Sequence, residues 1–112
     1  MKPTPSPMAV MNVEQGEEII GGWATPKIPQ VGCYKLLAKQ CRDGKIEWAH
    51  FVQRESGLKE NVTRGEVKDR AQLNEVLEIM NHNLHRIFGV KLIAVDYNVY
   101  TIDGKEPPAL WQ

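Results

Sequence analysis

The sequence predicts an α+β fold: an antiparallel meander of about three strands, one long helix packed on the sheet, and a final strand. Three observations predict it, namely a turn signal between two alternating segments, a capped segment with helical apolar spacing, and a closing β-branched segment. The chain has 112 residues, of which 42% are hydrophobic and 25% charged. That size and composition are typical of one globular domain with a single core.

The first two strands are predicted to form a hairpin around residues 42–44, and two registers compete. A two-residue loop at 43–44 would mix lysines with large apolar groups on both faces of the hairpin. A three-residue loop with Gly44 in the left-handed conformation separates the two classes and places Lys39 opposite Glu47. The second register is therefore predicted. Its apolar face holds Tyr34, Leu36, Ala38, Ile46, Trp48 and Val52, with Trp48 as a core residue.

The remaining elements follow from local signals. A turn at 56–57 precedes a third strand in "LKENVT", and a helix begins after the N-cap Asp69, with Gln72 placed as in a capping box and Gly89 at its end. "VKLIAVDYNVYTI" is predicted to be the last strand, and the helical crossover before it makes parallel pairing with an earlier strand an expectation. The apolar stripe expected to cover the hairpin is Leu73, Val76, Leu77, Met80, Leu84, Ile87 and Phe88.

The chain divides into an irregular arm rich in proline and glycine (1–32), an α+β core domain (33–103) and a C-terminal tail (104–112). The arm holds five prolines and four glycines, and the short segments "MAVMNV" and "EEII" are too brief to assign to helix or strand. Neither an apolar membrane span nor a secretory leader is recognised, and the two cysteines are expected to be reduced. A cytoplasmic protein is expected.

The titratable residues give no catalytic or metal-binding pattern. His82 and His85 are predicted to lie on the helix surface, whereas His50 faces the core and is expected to bond a backbone carbonyl. A helix packed between them would separate the three imidazoles, so no metal site is predicted. Because no phosphate loop, nucleophile elbow or paired-cysteine motif occurs, no catalytic residue and no cofactor are predicted. An enzyme whose site is assembled from distant positions is the second alternative.

The lysine-bearing face of the hairpin supports one alternative function, a nucleic-acid-binding accessory domain. Basic side chains interleaved with an aromatic ring can follow phosphates and stack a base. Three antiparallel strands and then a helix are also similar in topology to the arm-binding domains of phage integrases, although no sequence motif is shared. The formal net charge is zero, so such binding would depend on this local patch. Its residues would be Lys35, Lys39, Arg42, Lys45, Phe51 and Lys59.

Apolar residues outside the predicted core support the favoured hypothesis, a small non-catalytic binding protein acting through protein–protein contacts. Trp23 lies in the arm, Ile79 lies off the helix stripe, and Leu110 and Trp111 lie in the tail. Such residues either close an open face of the sheet or contact a partner. The predicted partner is another protein or a second copy of this chain, through the helix or a sheet edge.

Overall fold

A five-stranded antiparallel sheet and one helix make up the fold in the computed structural model, which describes residues 10–95. The sheet order is β4-β3-β2-β1-β5. This arrangement confirms the predicted α+β class. The elements are β1 (Glu18–Ala24), β2 (Cys33–Gln40), β3 (Ile46–Gln53), β4 (Lys59–Val67), α1 (Arg70–Phe88) and β5 (Ile93–Ala94).

The hairpin of β2 and β3 has the three-residue-loop register. Ala38 lies opposite Trp48, and Lys39 lies opposite Glu47. Gly44 has φ +94°, which is the left-handed conformation that a glycine adopts without cost. The observed pairing therefore confirms the predicted register.

The helix begins and ends as predicted. The Asp69 carboxylate accepts a hydrogen bond from the backbone N–H of Gln72 at 3.0 Å, and the Gln72 side chain accepts one from the N–H of Lys68 at 2.9 Å. Gly89 ends the helix in the left-handed conformation with φ +75°. Of the predicted stripe, Ile87 does not reach the core and is 61% exposed. It lies about 80° around the helix axis from the buried Leu77, at the edge of the covered face.

The prediction of an irregular arm is wrong for β1. This strand pairs antiparallel with β2, with a bulge between Ile19 and Gly21. The bulge and the glycines 21–22 interrupt the alternation that would have marked a strand. The indole ring of Trp23 lies over Gly21, where an added Cβ would come within 2.4 Å of the ring. The ring thus replaces the side chain that the glycine lacks.

The final strand pairs with β1 and not in parallel with an earlier neighbour. Ala94 lies opposite Trp23 and Ile93 opposite Ala24 in antiparallel register. After the helical crossover, β5 runs in the same direction as β4, but its neighbour in the sheet is β1, which runs in the opposite direction. The rest of the predicted strand and the tail 104–112 lie outside the described residues.

Both faces of the sheet are covered. The helix places Leu73, Leu77 and Leu84 on the face that carries Leu36 and Ala38. On the opposite face, Val10 packs on Leu37 and Phe51. The Arg64 guanidinium holds this N-terminal segment by donating from Nε and Nη2 to the carbonyl of Val10, at 3.1 and 2.8 Å. The sheet is therefore the middle layer between α1 and the segment that contains Val10.

Candidate interaction surface

The lysine face is buried, which contradicts the expectation of an open basic surface. Lys35 is 0% exposed, Lys39 5% and Lys59 7%, and Phe51 beside them is buried as well. Lysine has a long apolar stem, so alternation alone does not separate a covered lysine face from a solvated one. Four strands, not three, precede the helix, so the topological analogy with integrase arm-binding domains fails too.

Burial changes the titration of two of these lysines. The Lys35 ammonium donates a hydrogen bond to the side-chain oxygen of Gln53. Burial lowers the pKa of Lys35 to about 7 and that of Lys59 to about 8, because a charged ammonium is poorly solvated there. Of the predicted nucleic-acid-binding residues, only Arg42 and Lys45 are exposed, both near the hairpin tip.

Lys39 links the N-terminal segment to the sheet. Its ammonium lies 2.7 Å from the Glu17 carboxylate and 3.4 Å from that of Glu47, and it also donates to the carbonyl of Asn12. Burial by itself lowers the pKa of Lys39, but the hydrogen bond that its ammonium donates to the Glu17 carboxylate and the charge of Glu47 outweigh burial and raise the pKa. These contacts indicate a structural role for Lys39.

The environment of His50 differs from the expectation. Its Nε2 atom is buried, and within residues 10–95 the side chain makes no hydrogen bond, so the predicted bond to a backbone carbonyl is wrong. The imidazole instead stacks on Tyr34, with ring centroids 5.7 Å apart. His82 and His85 are exposed on the helix. In this part of the chain no group of three His, Cys, Asp or Glu side chains is arranged to hold a metal ion.

We expect His50 to make the fold sensitive to mild acid. Burial lowers the pKa of its imidazole below 6.5, so the unfolded chain binds the proton more tightly than the folded one. The contribution of the neutral ring is complete above pH 6.5 and is lost as the pH falls through the folded pKa. Urea unfolding between neutral pH and about pH 5 should show a loss of stability that His50→Phe reduces. An unchanged loss in that variant would contradict the assignment.

A cleft of about 430 Å³ lies where β2 begins and β3 ends. Charged side chains around it pair with one another: Lys27 lies 2.5 Å from Glu55, and Arg54 lies 2.9 Å from Glu60. Cys33 lines the cleft as a free, buried thiol, and Cys41 is also free. The charged side chains around the cleft are thus paired with each other, and the described lining does not place a base beside the Cys33 thiol.

The four residues predicted to form an interface differ in their environments. Trp23 lies half-buried between the sheet and the helix, where it packs in both clusters beneath α1. Ile79 is 64% exposed, as expected from its place off the apolar stripe. Leu110 and Trp111 lie outside the described residues. The structure therefore presents one of these four predicted residues to solvent and places a second in the core.

Ile79 belongs to a larger apolar feature on α1. Val76, Ile79, Asn83 and Ile87 follow one another at spacings of three and four residues, and we call these four residues the helix ridge. Ile79 and Ile87 are exposed, whereas Val76 is half-buried. Sequence reasoning missed the ridge because it assigned Val76 and Ile87 to the core. A helical wheel places both residues near the margin of the buried stripe, and this position is the sequence feature that could have indicated their exposure.

The helix gives the ridge a fixed position. Both ends of α1 are capped, and three buried leucines on the adjacent face of the helix attach it to the sheet. No helix in the described range is both long and apolar enough to cross a membrane. Comparison with models of known families, with curated proteins and with solved structures gave no match.

Proposed function

We propose that the protein is a small, non-catalytic binding protein that contacts another protein through the helix ridge. The observation that carries the proposal is the exposure of Ile79 and Ile87, at 64% and 61%, on a helix capped at both ends. Large apolar side chains that recur along one rigid element are typical of interaction sites. Their burial in a complex would remove apolar area from water without any change in the fold.

The helix is favoured over β4, which is an edge strand of the sheet in residues 10–95, as the contact surface. The pairing of β3 with β4 shifts register between His50 and Val52, and on β4 Asn61 has φ +57° in this region. Such a bulge interrupts the row of backbone groups that an added strand would need. Exposed Arg64 and Glu66 add charge to the same strand. These features oppose edge-to-edge pairing.

The burial of the lysine face also supports a protein partner over a nucleic acid. Only two of the cations predicted to follow phosphates remain exposed, Arg42 and Lys45, and they lie close together at one end of the hairpin. Affinity for nucleic acid grows with the number of phosphates that are neutralised. Two cations would supply little of it, whereas the ridge offers apolar contacts along three turns of helix.

Replacing Ile79 with glutamate should weaken the interaction strongly and leave the domain folded. The side chain is mostly exposed and glutamate is a good helix former, so the cost to folding should be small. Loss of an apolar contact with burial of a charge should weaken binding by about tenfold or more. The measurement is photo-crosslinking in cells that make the protein, with a photoreactive amino acid at position 82, beside the ridge. Weaker binding of the partner in Ile79→Glu should appear as a loss of covalent adducts.

The same photoreactive group at Ile93 is the matched control. Ile93 is 59% exposed, close to the value for Ile79, but it lies on the far side of the sheet. We expect adducts from position 82 and few from position 93. Equal yields at the two positions, or yields at position 82 that survive Ile79→Glu, would contradict the proposed ridge.

A further inference from the structure

We infer that the partner at the helix ridge is a second copy of this chain, with the two α1 helices packed antiparallel about a twofold axis. The inference rests on the proposed function, since it names the occupant of the same surface. The supporting observations are the two charges beside the ridge and their order along α1, with the acidic residue toward its start and the basic residue toward its end.

Glu75 and Arg86 lie on one flank of the ridge, on either side of Ile79 along the helix. They are eleven residues apart, which is close to three full turns, so their side chains leave the helix within about 20° of each other. Both residues are exposed. The flank is therefore acidic toward the start of α1 and basic toward its end.

A twofold axis that crosses the ridge near its middle makes this flank self-complementary. When Val76 lies opposite Ile87 of the second copy, Glu75 lies close to Arg86 of that copy, and the symmetry repeats the pair. Across an antiparallel seam, the same flank of each helix meets the other, so two Glu–Arg pairs bracket the apolar contacts. Antiparallel helices also set their macrodipoles in the favourable relative direction.

A parallel arrangement does not offer these pairs. It would bring the Glu75 flank of one helix against the opposite flank of the other, where the helix turns toward Met80 and the buried Leu84. The carboxylate and guanidinium would then face apolar groups that belong to the core. Charge complementarity thus selects the antiparallel mode, and the polar Asn83 in the seam would add to the choice of register.

The interface is small, so the dimer should form reversibly. Four ridge residues and one charged flank from each copy lie at the low end of specific interfaces. Exposed ion pairs add little affinity but discriminate strongly between matched and mismatched charges. We therefore expect an equilibrium between monomer and dimer that shifts with protein concentration in the micromolar to millimolar range.

Charge reversal tests the arrangement directly. Glu75→Arg creates two Arg–Arg encounters across the seam, and Arg86→Glu creates two Glu–Glu encounters, so each variant alone should dimerise about tenfold or more weakly than the native chain. Mixing the two variants should restore dimers, because a heterodimer contains two opposite-charge pairs. Sedimentation equilibrium of each variant, of the mixture and of the double variant measures this. The double variant should dimerise like the native chain.

Glu78→Arg is the matched control, because it makes the same change in net charge on the same helix. Glu78 is exposed but leaves the helix about 100° from Leu77, on the side away from the ridge. Dimerisation should be unchanged in this variant. Circular dichroism and thermal unfolding of all variants separate a lost contact from a lost fold.

A native chain that stays monomeric throughout the concentration range would overturn the inference, and so would a mixture that fails to restore dimers. Either result leaves the proposed function standing if position 82 still forms adducts with a different protein. Adducts that are absent from the ridge altogether would overturn the proposed function as well. Dimers that Glu78→Arg weakens as much as Glu75→Arg does would show a general charge effect and would also overturn the antiparallel pairing.

Discussion

Gly32→Ala is expected to destabilise the domain by about 3 to 5 kcal/mol, the sum of backbone strain and overpacking. Gly32 has φ +113°, which L-amino acids rarely adopt. An added Cβ would lie 2.2 Å from the carbonyl oxygen of Gln53 and 3.1 Å from the Cα of Arg54. These are backbone atoms, and the pairing of Cys33 with Gln53 holds them in place. The methyl group therefore has no flexible neighbour to displace.

Urea unfolding of Gly32→Ala beside Gly44→Ala measures this effect. Gly44 has φ +94°, but an added Cβ there meets nothing within 4 Å. Its replacement should therefore show only the cost of the left-handed backbone, about 1 kcal/mol. The difference between the two variants isolates the backbone clash. Equal losses of stability would show that the strands separate easily at Gly32, contrary to the paired register.

The hairpin and the helix were predictable because their signals are local. The register of β2 and β3 followed from one glycine and from the requirement that the apolar side chains share a face. The helix ends followed from Asp69 and Gly89, each of which acts on backbone groups within its own turn. In both cases the residues that determine the structure lie within a few positions of the structure that they determine.

The first strand was not predictable in the same way. β1 has a bulge and the glycines 21–22, so its own pattern is weak. The strand is stabilised by its pairing with β2 and β5 and by the Trp23 ring over Gly21. The pairing partners lie far from β1 in the sequence, so the local pattern of β1 does not reveal them. Tertiary contacts decide the conformation of such a segment.

The lysine face shows a second limit of pattern reasoning. Alternation correctly placed Lys35 and Lys39 on the face opposite Leu36 and Ala38, but it did not show that the lysine face is covered as well. Val10, which packs on Leu37 and Phe51 of this face, lies more than twenty residues before β2. Sequence alternation reports which side chains share a face, and only the tertiary structure reports what packs on that face.

The candidate surface was predictable in part. Ile79 was recognised because it departs from the apolar stripe of α1, whereas Ile87 fits the stripe and was therefore assigned to the core. The wheel position of Ile87 is compatible with either environment. The choice depends on how far the sheet extends under the end of the helix, and no local signal reports that distance.

The stability of the domain should rise with pH above neutrality, mainly because of Lys35. Its ordinary pKa is 10.5, and burial lowers the folded value to about 7. Between these values the unfolded chain holds a proton that the folded chain has released, so the free energy of unfolding increases with pH. The largest slope from one such group is about 1.4 kcal/mol per pH unit. Lys59, whose pKa burial lowers to about 8, adds to the slope above that pH.

Lys35→Met separates this effect from other titrations. Methionine keeps an unbranched apolar stem but does not titrate, so the slope between about pH 7 and 9 should decrease by the contribution of Lys35. The slope is a better measure than the stability at one pH, because the variant also removes the donor to the Gln53 side-chain oxygen. Any change in this hydrogen bond on titration is already part of the folded pKa, so only a pH-independent loss remains, and that loss cancels from the slope. If Lys35→Met and the native chain have equal slopes, Lys35 keeps its ordinary pKa in the folded protein, and its burial is offset by a compensating charge.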